Sequence, residues 1–282
     1  MAEPTLRRFQ LKLPGRRAGL FALVGACLLL LGFYSATDAS RLDNSAALNL
    51  ADYAGYTVCH RITSHSFVFA GRQMPLCARC TGIYLGISLV FGVLLLAGRG
   101  RWTELPSLSM LLGFGFLVAV MGVDGLNSYS HFFANAPHLY EPKNWLRLTT
   151  GMGTGLGMGS IALPALAQTL WQHPVRQASI TSWREMLGLL ALAAVLILLV
   201  LSNQPALLYV LSLASAGGVL AILTTLNTVM LLLILRRDGR AERWSQAVVP
   251  LAIGLGLTVL EIALVSTLRF SLTGTMTGFP GL

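Results

Sequence analysis

The chain has 282 residues, of which 55% are hydrophobic and only 11% charged, with a formal net charge of +9. The apolar residues come in runs of about twenty, long enough to cross a hydrocarbon layer of ~30 Å, so a water-soluble globular enzyme is excluded. The positive charge sits in short segments between the apolar runs, where membrane topology accounts for it, and nucleic acid is not an expected partner; the lipid bilayer of the cell membrane is.

Seven apolar runs follow one another, at 18–37, 81–97, 105–125, 148–170, 186–202, 206–235 and 246–268. Unpaired backbone groups have no partner in hydrocarbon, and the alternation of a barrel strand is missing. The expected fold is therefore all-α, a polytopic bundle of about seven transmembrane helices forming one membrane domain over 1–282. Within it, 1–17 is a basic tail, 53–170 a core and 186–268 three further spans. The first run resembles a signal peptide in its basic start, yet stays apolar past Cys27, and is read as an uncleaved helix. The run at 206–235 exceeds what a span needs and is expected to tilt or to extend past the bilayer.

Basic residues orient the set. Arg7, Arg8, Lys12, Arg16 and Arg17 lie before the first run, Arg99 and Arg101 after the second, Arg176 and Arg184 after the fourth, and Arg236, Arg237, Arg240 and Arg243 after the sixth. In a seven-span arrangement all four groups share one side, which puts the amino terminus inside and the carboxyl terminus outside.

The segment from Cys59 to Gly82 then lies on the extracytoplasmic side, as does the loop carrying Asp124, Asn127, His131, His138, Asn144 and Arg147. Cys77-Ala78-Arg79-Cys80 opens the second run, where the helix amino terminus and Arg79 are expected to favour thiolate. Cys59 and His60 supply two further donors. Cys59, His60, Cys77 and Cys80 therefore suit a tetrahedral metal site, zinc being the natural ion, with His65 or a histidine of the next outer loop as an alternative fourth ligand. Two other readings stand beside it: a structural disulfide among the outer cysteines, and membrane thiol–disulfide exchange through Cys77 and Cys80 with Cys59 as relay. A non-enzymatic scaffold and a transporter complete the alternatives.

These residues also resemble a known signature. Cys59, His60, Arg61, Ser66, Phe67, Gly71, Gln73, 75–84 and Gly86, with Asp124-Gly125, Asn144, Arg147 and Thr150-Gly151, are similar to a prokaryotic integral-membrane family catalogued as a domain of unknown function, number twenty eighty-five. The resemblance covers about 53–170 and implies a membrane fold with no established activity. His65 departs from it, since a basic residue is expected just before Ser66.

Asp124 and Arg147 sit at facing span ends. Either they form an ion pair that pins two helices, or Asp124 serves as metal ligand or general base, with Asn127 and Asn144 orienting a bound group. Gly151, Gly155 and Gly159 recur every four residues, a face that permits close helix approach, with Gly82 and Gly86 as the expected partner face. Glu261, inside the last run, is expected either to pair with Arg269 or to line a polar cavity.

Overall fold

The computed structural model describes residues 45–133, 137–276 and 278. The basic tail, the first apolar run and Cys27 lie outside the described residues. The other six runs each fall on a helix. In chain order the helices are α1 (Ala46–Val58), α2 (Ala78–Leu96), α3 (Leu108–Ser130), α4 (Asn144–Leu170), α5 (Trp183–Leu201), α6 (Pro205–Ile234) and α7 (Trp244–Thr273). Among the described residues, α2, α3, α5, α6 and α7 are long and apolar enough to cross a membrane. Large apolar side chains such as Leu112, Phe116, Leu187, Leu198, Leu233 and Leu264 are exposed around the bundle, as a hydrocarbon surround requires.

Helix α4 differs in kind. It is rich in glycine and threonine, and most of its length is buried, with Thr150, Thr154 and Ser160 turning their hydroxyls back onto their own helix carbonyls. It forms the central post of the bundle and presents little apolar surface to lipid. Pro164 cannot donate to the Ser160 carbonyl, and Ser179 Oγ donates to that oxygen instead at 3.1 Å.

The glycine spacing does what its period implies. A Cβ on Gly82 would fall on the Leu148 carbonyl, one on Gly151 on the Arg79 carbonyl, and one on Gly155 on the Ile83 carbonyl. A Cβ on Gly86 would lie 2.7 Å from the Met152 carbonyl oxygen. Thus α2 and α4 meet backbone to backbone, a contact only glycine allows. The seam fixes the start of α2, and with it Cys80, against α4.

The loops gather at two ends. At one end the links after α2, α4 and α6 pack together. Strand β3 (Trp102–Glu104) pairs parallel with β4 (Val175–Ala178). Trp171 donates its indole N–H to Gly100 O at 2.8 Å, stacks edge-on to Trp244, and lies beneath the Arg101 guanidinium. Arg99 binds Glu185 through both terminal nitrogens, at 2.7 and 2.6 Å. The arginine-rich links therefore do share one end of the bundle.

The opposite end is built on α1, an element the apolar runs do not reveal. Ser45 caps it by accepting from Leu48 N, and Leu48, Ala51, Ala54 and Gly55 form its buried face. Gly55 presses against the Pro75 carbonyl. After α1 the chain passes through a short 3-10 turn, Thr63–His65, and a hairpin of β1 (Val68–Phe69) and β2 (Arg72–Gln73). Ala70 and Gly71 both take positive φ, 47° and 83°, in the two-residue turn between the strands.

Candidate metal centre

Cys59 is the carboxyl-terminal cap of α1 and Cys77 the amino-terminal cap of α2. The Gly55–Pro75 contact holds these two helix ends together. Ligand atoms of Cys59, His60 and Cys77 all lie within 4.8 Å of one another. A tetrahedral zinc with metal–sulfur bonds of ~2.3 Å would set sulfurs ~3.8 Å apart, so closure by about 1 Å or less would suffice. Cys80, one turn into α2, interacts with the Cys59 thiol but lies outside this mutually close set. All three cysteines are free of disulfides.

Cys59 is the electron-rich centre of the cluster. Its sulfur accepts the backbone N–H of Cys77 at 3.3 Å and of Arg61 at 3.5 Å. Arg61 reaches that position by adopting φ 52°. The thiols of Cys77 and Cys80, together with these amides, pull the Cys59 thiol down to about 2 against the opposing effect of burial. Cys77 goes the other way. Donation to Cys59, reinforced by burial, pushes it up to about 12. The sequence credits Cys77 with the α2 amino terminus and with Arg79; in the structure the Cys77 N–H points at the Cys59 sulfur, and Arg79 is engaged by Asp124.

The imidazoles are neutral. Burial lowers His60, and the nearby cations Arg79, Arg147 and Arg269 oppose its protonation further. His65 falls to about 4, from burial and the Arg147 charge. His60 Nδ1 accepts the Ile62 N–H at 3.1 Å. Whichever ring nitrogen bound an ion, a neutral His60 would lose that bond, because either Nδ1 is occupied or it carries the proton. His65 stands back from the sulfurs, edge-on to His60 with ring centres 5.7 Å apart and stacked near Phe132.

Supporting residues hold the loop. Arg269 of α7 donates to the carbonyls of Tyr56 at 2.5 Å, Cys59 at 2.6 Å and His60 at 3.2 Å, and its guanidinium lies 4.0 Å above the Tyr56 ring. This caps α1 with a cation at its negative end. The expected Glu261–Arg269 pair is not formed: Glu261 accepts from Asn227 Nδ2 at 3.0 Å. Gln73 reaches back to Arg61 O and Ser66 Oγ, and Asp52 pairs with Arg61 and Arg72. Sequence reasoning assigned no chemical role to Asp52 or Gln73.

Asp124 is also repartnered. It is buried and pairs with Arg79, the residue between Cys77 and Cys80, while Tyr140 Oη donates to its other oxygen at 3.0 Å. Arg147 does not pair with it. Arg147 donates instead to Asn144 Oδ1 at 2.8 Å and Ser128 Oγ at 3.4 Å. Asn144 in turn donates to the carbonyls of Ser64 and Ser66, tying α4 to the motif loop. Asn127 binds the backbone of Leu139 and Tyr140. Both asparagines thus position protein backbone. His131 and His138 pair with each other, away from the sulfurs.

Residues 59–161 match the family described as "Predicted membrane protein (DUF2085)". An uncharacterized protein of Methanothermobacter thermautotrophicus is 35% identical over 101 residues, covering 36% of this chain and 80% of that relative. The chain belongs to the DUF2085 family. No solved structure matches it. The DUF2085 stretch contains the thiol cluster, the Arg79–Asp124 pair and the α2–α4 glycine seam; α5, α6 and α7 lie beyond it.

Proposed function

We propose that the chain is a multi-pass protein of the cell membrane whose Cys59, Cys77 and Cys80, with His60 as fourth donor, hold a zinc ion at the extracytoplasmic end of the bundle. The observation that carries this reading is the convergence of two thiols and two backbone N–H groups on the Cys59 sulfur. Such N–H donation stabilises a thiolate, the form that binds metal. A set of three cysteines and one histidine is a common closed ligand sphere for zinc. His60 is its most labile member, because ligation costs the Ile62 bond. When His60 stays on Ile62, three thiolates leave one position open for water or substrate, and the ion would then act as a Lewis acid.

The side follows from charge. The arginine-rich links pack at the end away from the thiols, and basic links stay in the cytoplasm. Seven spans, with the amino terminus inside and the carboxyl terminus outside, complete this topology, in one membrane domain over 1–282. A second reading, thiol–disulfide exchange, is favoured by the contact of Cys59 with both sulfurs of the Cys77/Cys80 pair.

Metal analysis of protein purified without chelator, alongside thiol counting, separates the two. Zinc of which about one equivalent per chain is lost in Cys59→Ser, with three unblocked outer thiols in the wild type, supports the metal centre. A chain without metal that carries a Cys77–Cys80 disulfide by mass spectrometry refutes it in favour of exchange.

A further inference from the structure

A second donor cluster lies at the same end of the bundle, built without sulfur. His131 caps the carboxyl end of α3, and its ligand atom, with those of His138 and Glu141, lies within 4.8 Å of the others. One residue organises all three. The Asn127 carbonyl faces His131 Nδ1 at 2.9 Å, and because a carbonyl only accepts, Nδ1 carries the ring proton. The Asn127 side chain accepts from Leu139 N at 2.7 Å and donates to Tyr140 O at 2.8 Å. This brings the residues on either side of that pair, His138 and Glu141, over the His131 ring, and the two imidazole centres stand 4.2 Å apart.

The consequence falls on His131 Nε2. In a neutral ring with Nδ1 protonated, Nε2 is a bare lone pair. Among the described residues it is buried and has no hydrogen-bond partner. It faces Glu141 Oε2 at 3.7 Å, too far for a hydrogen bond. A lone pair and a carboxylate turned toward each other lack a cation between them. Donors bound at ~2.0–2.1 Å to one tetrahedral ion lie ~3.4 Å apart, close to the separation observed. An imidazole whose far nitrogen donates to a backbone carbonyl is also the usual posture of a metal-bound histidine.

We propose that His131 Nε2, His138 and Glu141 form a second metal site, for a first-row divalent ion such as zinc. Two nitrogens and one carboxylate leave a coordination position open, and they make a harder site than the thiol cluster. Asn127 is its positioning residue. Neither the ion nor the ligand set depends on the thiol centre.

Cobalt(II) reads the two sites apart. The full chain, purified without a polyhistidine tag, is titrated with Co2+ and followed from the near ultraviolet to the visible. Thiolate ligation gives an intense sulfur-to-cobalt band; nitrogen and oxygen ligation gives only weak visible bands. The expected result is a component with weak visible bands alone, whose affinity falls at least tenfold in both His138→Ala and Glu141→Gln. Glu141 is 78% exposed at its side chain, and His138 is exposed, so neither change threatens folding. The sulfur band, if present, stays unchanged in both variants. If the wild type shows no such component, or if both variants bind it as tightly as the wild type, His131 and Glu141 are a simple ion pair and the proposal is overturned. Loss of the sulfur band alone in the wild type would refute the thiol centre and leave this site standing.

Discussion

Gly155→Ala tests the α2–α4 seam directly. The added Cβ would overlap the Ile83 carbonyl, and backbone cannot swing aside as a side chain can, so the helices must separate. Gly86→Ala offers a gentler step: its Cβ would lie 2.7 Å from Met152 O, where ordinary contact begins near 3.4 Å, an opening of about 0.7 Å. Overpacking of this kind costs about 1–3 kcal/mol. Alanine also gains up to about 1 kcal/mol over glycine in helix propensity, which obscures the loss in any single variant. Gly92→Ala cancels that gain. Gly92 lies on α2, the partner helix of Gly155, with nothing within 4 Å of its would-be Cβ. The stability difference between Gly155→Ala and Gly92→Ala therefore isolates the seam, and about 1–3 kcal/mol is expected. Because one separation relieves both clashes, Gly86→Ala with Gly155→Ala should cost less than the sum. Reversible unfolding in mixed detergent and sodium dodecyl sulfate micelles, followed by circular dichroism, measures each value. Equal stability of Gly155→Ala and Gly92→Ala would refute the backbone contact.

Asp124→Asn should destabilise by on the order of 3 kcal/mol, since it strands the Arg79 charge, and Arg79→Gln combined with it should cost less than the sum. Arg147→Gln should couple to Asp124→Asn more weakly than Arg79→Gln does, since Arg147 reaches that pair only through the shared Ser128 hydroxyl; coupling as large as that of Arg79 would revive the pairing the structure denies. Replacing Cys59, Cys77 or Cys80 with serine should each remove about one equivalent of bound zinc, the one held by the thiol cluster, whereas Cys27→Ser should not, as elemental analysis of purified protein reads. Zinc affinity should rise with pH: the amides and thiols around Cys59 pull its proton off already, while Cys77, pushed up to about 12, and Cys80 must each give up a proton on ligation, a slope of about two decades per pH unit. A pH-independent affinity between pH 6 and 8, measured by competition with a chelator of known behaviour, would exclude Cys77 as a ligand. Reporters fused after Arg101, Arg184 and Arg240 should score cytoplasmic and one after Lys143 external; an external score at Arg240 would break the topology.

Apolar run length located α2 to α7 to within a few residues, because hydrocarbon imposes it on every span. Depth was legible for the same reason: Asp124, Arg147, Cys59, Cys77 and Cys80 lie at the end opposite the arginine-rich links. Partner choice was not. Arg79 and Arg147 are both cations at that end, and which one meets Asp124 depends on how the helices are rotated about their axes, which a hydropathy run does not encode. Glycine spacing supplies rotation only for α2 and α4, where the seam left no freedom. Helix α1 went unseen because it is too short to span, and its signal is only a serine cap and a small-residue face.

Rotation also explains why the thiolate lies on Cys59. Reading Cys77 and Cys80 along the chain credits them with the α2 amino terminus and with Arg79, both of which favour charge. In three dimensions the Arg79 guanidinium turns to Asp124, and the Cys77 amide, one of the free donors at the α2 start, points to the sulfur of Cys59. The positive end of α2 thus acts on a residue eighteen positions away in sequence. That transfer depends on α1 ending where it does. Arg269 neutralises the carbonyls of Tyr56, Cys59 and His60, which would otherwise repel a thiolate beside them. The last helix lies outside the stretch matched to the family, yet it supplies the cation that makes the Cys59 position tenable for an anion. The thiol cluster is therefore a property of the whole bundle, assembled where the ends of α1, α2 and α7 meet.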